Sequence, residues 1–310
     1  MERFKNIAVV YAGERSDRAA LLRASVIAEK NRAKLHVIAV IEPITGVAQL
    51  LLGKERVEQF ASGRQKELQF ALDADLKRLG LAPLRLHSLS GTTAVETIRF
   101  MLNAGCDLLV KARGEPEQNR PISVTDRILL RKCPVPVLLL RGDRKKKFSR
   151  ILAAVDPDPD VPMRLDLHCN VLKLAVTMAE REQAFLDIVH AWDIFSAATL
   201  QGPRFKLTTE ELNEIVKKEV EMRRGWIEKL LVPYAGVNIK TRIHLIQGDP
   251  SQVISDFTRQ RKSDLLVMGT VARGGLPGLL IGNTAEVVLD SVNCATLTIK
   301  PPDFVSPILR

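Results

Sequence analysis

Five short apolar runs occur in the first half of this chain, and five more occur in the second half in the same order. The first set covers residues 6–11, 34–41, 84–89, 107–111 and 136–140. The second covers 150–155, 185–191, 238–246, 264–268 and 295–299. Runs this short, rich in Val, Ile and Leu and spaced by longer segments, read as parallel strands buried on both faces. Asp107-Leu-Leu-Val110 returns as Asp264-Leu-Leu-Val267 at an offset of 157, and Cys133 returns as Cys294 at an offset of 161. The loop between the fourth strand and the last helix is therefore four residues longer in the second half. Alternating strands and helices give an α/β fold: two repeated open parallel five-stranded sheets with helices on both faces. The expected divisions are a first domain over 1–142, a basic linker over 143–147 and a second domain over 148–310.

The spacers have helical period. Leu165, Cys169, Leu172, Val176 and Ala179 share one face. Thr209 is expected to cap a helix running to about 231, with Glu210 and Glu211 in its first turn. Its first-half counterpart is expected over about 54–79, stopped by Gly80.

Composition narrows the functional classes. With 46% hydrophobic and 26% charged residues, the chain can build two cores, and disorder is excluded. Cys106, Cys133, Cys169 and Cys294 form no CxxC and read as reduced core thiols. No apolar stretch reaches the length of a membrane span, and the amino-terminal run is too short for a signal segment, so a cytoplasmic location is expected. The net charge of +10 falls partly in residues 141–147, read as a solvated linker. No RNA- or DNA-reading motif accompanies it, so no specific nucleic-acid partner is implied.

The segment from Val267 to Leu289 carries the chemistry. A strand ends at Met268, and Gly269, Gly274, Gly275, Gly278 and Gly282 follow before a helix near Asn283. Glycines allow close backbone approach, and a helix start offers unpaired N–H groups with partial positive charge. This is a cradle for a di- or triphosphate, with Arg273 as an added cation. It is neither a Walker A nor a Rossmann motif, since GK[ST] and the Rossmann glycine spacing are both absent. Asn283 with Glu286 also reads as an imperfect capping box, which would close the helix without any ligand.

The loop resembles that of the universal stress protein family, Gly-x2-Gly-x9-Gly-[Ser/Thr], with Gly269 and Gly282 at the first and last glycines. Arg131-Lys-Cys-Pro134 and Gly282-Asn-Thr-Ala-Glu286 resemble the tandem E-type members in particular. The resemblance implies strand order 3-2-1-4-5 and an adenine nucleotide, ATP, in the second domain. Phosphates would face Gly269, Ala272, Arg273, Gly282, Asn283 and Thr284. Asp156 would face the adenosine, and the backbone of Ala191 would face the adenine. Any hydrolysis would be slow and serve switching, so no catalytic residue is assigned. Ala272 stands where the family has its second glycine, and Asn283 where it has Ser or Thr. Those departures keep an alternative open: a scaffold, or a protein binding a different and even lipid-like small molecule.

The first half lacks the site. Its loop, from Lys111 to Pro121, holds one glycine, Glu115, Glu117 and two prolines, and no aspartate follows the first strand. Residues 44–52 are apolar enough to line a pocket, but core packing under the second helix is the better account of them. His190 and His168 read as buried or capping histidines rather than as a zinc site. By resemblance, strands 135–140 and 295–299 are expected to pair within the chain; a homodimer is left open.

Overall fold

The computed structural model describes residues 4–114, 122–141, 147–193, 207–270 and 281–308. The expected basic linker falls almost wholly on residues 142–146, outside the described ones. By its contacts the chain forms two compact units. One holds residues 1–146 with 295–298 and 304–310; the other holds 147–294 with 299–303.

In the first unit the elements run β1 (Asn6–Val10), α1 (Asp17–Asn31), β2 (Lys34–Ile41), α2 (Val47–Leu79), β3 (Leu86–Ser90), α3 (Thr93–Asn103), β4 (Leu108–Arg113), α4 (Val124–Lys132) and β5 (Val137–Arg141). The strands lie in the order β3-β2-β1-β4-β5, all parallel, which is the expected 3-2-1-4-5. Ile7, Ala8 and Val9 of the central β1 are wholly buried, as an interior parallel strand covered on both faces requires. The chain's last strand, β10 (Ala295–Ile299), adds to this unit antiparallel to β5, with Leu297 opposite Leu138. The expected pairing of segments 135–140 and 295–299 is thus formed.

The second unit runs β6 (Arg150–Ala154), α5 (Pro162–Glu182), β7 (Phe185–Trp192), α6 (Thr209–Leu231), β8 (Thr241–Gln247), α7 (Pro250–Arg261), β9 (Leu265–Gly269) and α8 (Asn283–Ser291). Its strands lie β8-β7-β6-β9, all parallel, repeating the first four places of the other unit.

The repeated aspartate has a structural reason. The Asp264 carboxylate accepts the N–H groups of Ser149 and Arg150 at 2.7 and 3.0 Å, while its own N–H donates to the Arg150 carbonyl. Asp107 does the same for Lys5 and Asn6 at 2.6 and 3.1 Å. Each aspartate fastens the start of its unit's first strand to the start of the fourth. It also satisfies N–H groups that no strand partner reaches.

Two helix starts differ from expectation. The cap of α6 is Thr208, not Thr209: its hydroxyl accepts from the Glu211 N–H at 3.2 Å, and Glu211 Oε2 accepts from the Thr208 N–H at 2.8 Å. This reciprocal box sets the start one residue earlier. α2 begins at Val47 rather than near 54, and Gly53 breaks its helical dihedrals at φ 73°. Val47, Leu50 and Leu51 are 70–83% exposed, so segment 44–52 is not packed in the core. Among the described residues, no helix is long and apolar enough to cross a membrane.

Candidate functional site

In the second unit the chain leaves β6 toward β7 on one side and returns as β9 on the other. The crevice outside the carboxyl ends of such strands is where open parallel sheets bind ligands. Asp156 lies just past β6, Thr270 directly past β9, and α8 starts close by.

The start of α8 has no side-chain cap among the described residues. Gly282 is its N-cap, in extended backbone at φ −81°, ψ 148°, with no side-chain cap. Asn283 is the first helical residue rather than the cap. The imperfect capping box expected from Asn283 and Glu286 is therefore not formed, because the chain turns helical one residue earlier than that box needs. The Gly282 N–H is taken by the Thr270 carbonyl at 2.8 Å. Among the described residues, the N–H groups of Asn283, Thr284 and Ala285 have no acceptor, and Asn283 and Thr284 are exposed. Ala272 and Arg273 lie outside the described residues.

Thr270, at the end of β9, borders the start of α8 through its backbone. Its N–H donates to the Ile299 carbonyl at 3.2 Å and its carbonyl holds Gly282. Its hydroxyl is fully buried and has no partner among the described residues. A buried hydroxyl left unpaired costs about 1–3 kcal/mol.

Gly269 meets a packing constraint at the end of β9. A Cβ there would lie 2.7 Å from Cδ2 of Leu167 on α5, so the glycine admits that buried leucine against the end of β9. Its backbone needs no left-handed conformation.

Asp156 sits at the edge of a polar cluster. Its N–H donates to His168 Nδ1 at 3.3 Å, and its Oδ1 stands 3.7 Å from His190 Nδ1, beyond hydrogen-bond reach. His190, wholly buried, donates from Nδ1 to the Val155 carbonyl at 2.9 Å and accepts at Nε2 from Arg223 at 3.3 Å. A carbonyl only accepts and a guanidinium only donates, so His190 is the neutral Nδ1–H tautomer. Arg223 also pairs with Glu219 at 2.9 Å and lies over the rings of Trp192 and Trp226. Trp192 is buried, and its indole N–H has no partner among the described residues. Ala191, one residue back, lies on the part of β7 that outruns β6: pairing to β6 ends at Val189, while pairing to β8 continues to Trp192.

The same place in the first unit is filled. The α4 cap is Ser123, whose hydroxyl accepts the Asp126 N–H at 3.1 Å. Buried Asp126 supplies its own anion in the first helical turn. Lys111 lies 2.9 Å from Asp126 Oδ1, an ion pair short of hydrogen-bond alignment. The Tyr11 hydroxyl donates to Asp75 at 3.1 Å, and Arg18 closes on the same carboxylate at 2.6 Å. Burial pushes the Asp17 carboxyl up to about 6, against the pull of the Ala12 and Glu14 N–H groups it accepts. Burial and the Asp75 carboxylate hold the Tyr11 phenol well above its usual range. Glu115 and Glu117 lie outside the described residues.

The model for the "Universal stress protein family" matches residues 3–141 and again 147–300. The chain belongs to the universal stress protein family. It is a tandem member, with one family domain in each half. This universal stress protein is 28% identical to the "Universal stress protein E homolog" of Haemophilus influenzae over 96% of its own length and 98% of that protein. It is 23% identical to "Universal stress protein E" of Escherichia coli K12 over 99% and 98%. A functionally unknown protein of Pseudomonas aeruginosa PAO1 superposes with a TM-score of 0.68 at 25% identity, over 97% of this chain and 94% of that one. A universal stress protein of Archaeoglobus fulgidus DSM 4304 shares the fold at a TM-score of 0.64 and 17% identity, over 97% and 98%.

Three groups in the second crevice escaped the sequence reading: Thr270, Trp192 and Arg223. Thr270 was the most accessible of them, since it directly follows Gly269 and aligns with Arg113 of the first repeat.

Proposed function

We propose that the second unit binds an adenine nucleotide, ATP, and that the protein is a stress-responsive regulator that holds the nucleotide rather than consuming it. The observation that carries this reading is the contrast between the two helix starts. α4 is closed by Ser123, Asp126 and Lys111, whereas α8 starts on a glycine without a side-chain cap and, among the described residues, leaves the N–H groups of Asn283, Thr284 and Ala285 without an acceptor. Those groups and the helix dipole favour an anion. The orphaned Thr270 hydroxyl beside them gains a partner if a phosphate oxygen arrives. Asp156 and the Ala191 backbone, on the β6 and β7 side of the crevice, are the groups for the nucleoside. Arg273 and Ala272 belong to the same proposed site.

One observation favours the alternative of a different small molecule. The Gly282 N–H is already spent on Thr270, which removes one donor from the cradle.

Equilibrium binding of labelled ATP to the full chain tests the proposal, with Gly282→Ser as the variant. Serine fits the extended backbone at this position and caps the helix as Ser123 does in the first unit. Saturable binding to the wild type that falls at least tenfold in Gly282→Ser supports ATP. Negligible signal from both proteins ends the reading.

A further inference from the structure

At the amino-terminal end of the second unit's strands, away from the crevice, lies a cavity of about 280 Å³. Its lining is Ser149, Arg150, Phe185, Asp187, Arg242 and Arg261. Arg150 opens β6 opposite Phe185, and Arg242 on β8 sits opposite Asp187, so strand register brings these four residues to one face. Arg261 closes α7.

None of the three guanidinium groups has a carboxylate within ion-pair distance among the described residues. Among the described residues the Arg150 guanidinium donates only to the Arg261 carbonyl, at 3.1 Å, which holds it at the end of α7. Arg242 lies over the Phe185 ring and Arg261 over Phe257, each 5.2–5.5 Å from the ring centre. The one acid in the lining, Asp187, is buried and engaged elsewhere: His244 Nε2 donates to its Oδ1 at 2.7 Å, and the His244 ring packs on Phe257. Three cations and one carboxylate leave the lining at +2.

The first repeat provides an internal comparison. His87, Phe100 and Arg85 stand at the same offset of 157 from His244, Phe257 and Arg242 that relates Asp107 to Asp264. Ala104 stands at that offset from Arg261, and Asn6 takes the place of Arg150 as the first residue of its strand. The first repeat puts His36 on the strand beside His87, where Asp187 accompanies His244, and packs both imidazoles on Phe100. The ring packing is shared by the two repeats, so it belongs to the fold. Arg85 matches Arg242, so the guanidinium groups that belong to the second repeat alone are those of Arg150 and Arg261.

We propose that Arg150, Arg242 and Arg261 form a binding site for a dianionic phosphate group, free or carried as a monoester on a small molecule. Planar guanidinium groups bind phosphate oxygens in pairs, which a single lysine ammonium does not. A dianion cancels the +2 of the lining. The volume falls below the roughly 300–1,000 Å³ of pockets for larger ligands, which restricts the carrier to a few carbons. The Phe185 ring offers that carrier an apolar wall. The site is independent of the nucleotide crevice and does not need ATP to bind there.

Calorimetric titration of the full chain with inorganic phosphate and with glycerol 3-phosphate tests this. The expected result is one saturable site per chain. Binding weakens at least tenfold in Arg242→Gln and in Arg261→Gln, weakens with added salt, and is unchanged in Gly282→Ser. Tighter binding of glycerol 3-phosphate assigns the site to a phosphomonoester; equal binding assigns it to the free anion. Thermal melts of the arginine variants at the wild-type midpoint show that the fold is kept. Absence of binding by both probes, or binding indifferent to both arginine changes, overturns the proposal.

Discussion

Gly269→Ala separates packing from ligand contact at the position where the family motif begins. The new methyl carbon would lie 2.7 Å from Leu167 Cδ2, 3.1 Å from Cγ and 3.3 Å from Cδ1. Non-bonded carbons settle at about 3.5–4.0 Å, so Leu167 or the end of β9 has to give by roughly 1 Å. Leu167 is 4% exposed and lies on α5, so it has little free space to enter. Overpacking of this kind costs about 1–3 kcal/mol. At about 2–4 °C per kcal/mol for a unit of this size, the second unit's melting point should fall by roughly 2–12 °C. Leu167→Ala alone should cost about 2–5 kcal/mol through its cavity. In the double variant the alanine methyl enters that cavity, so the loss should be smaller than the sum of the two by about 1–3 kcal/mol. Urea unfolding read by amide hydrogen exchange keeps the two units apart, since they need not unfold together. Wild-type stability in Gly269→Ala, with additive losses in the double variant, would refute the packing role.

The folded-state value of Asp17 is raised from 3.8 to about 6, so its favourable contribution is complete below about pH 4 and is lost as pH rises through 6. Asp17→Asn keeps an oxygen for the Ala12 and Glu14 N–H groups, so above pH 6 it should be the more stable protein, by up to about 3 kcal/mol. Stability curves of the two proteins that run parallel from pH 4 to 7 would contradict this. Thr208→Ala should cost about 0.5–2 kcal/mol and raise exchange of the Glu211 amide, while Thr209→Ala should cost far less. Burial pushes the Cys106 thiol up to about 11, so iodoacetamide at pH 8 should label it only as fast as the first unit opens. Labelling at the rate of a free thiol would show that burial wrong.

Strand positions were legible because buried parallel strands need unbroken Val, Ile and Leu. Lys34–Ile41 and Ala295–Ile299 fall where the runs predicted. Asp107 and Asp264 were visible as a repeat, but their role in fastening two strand starts needed the fold, because their partners lie more than a hundred residues away. The start of α2 was missed since Gly53 reads as a breaker, yet the helix resumes on both sides of it. Asn283 looked like a cap by residue type. The Gly282 N–H bond to the Thr270 carbonyl moves the helix start back by one residue, and no local pattern encodes that bond. Gly269 was visible as a glycine, but its reason, Leu167, comes from a distant helix.

Amide ¹⁵N–¹H spectra of the full chain, recorded as ATP is added, probe the start of α8 residue by residue. The account predicts that Asn283, Thr284 and Ala285 shift and gain exchange protection as ATP saturates, while the amides at the start of α4 stay still. Saturation by ATP with those three signals unmoved would mean that the phosphates lie elsewhere.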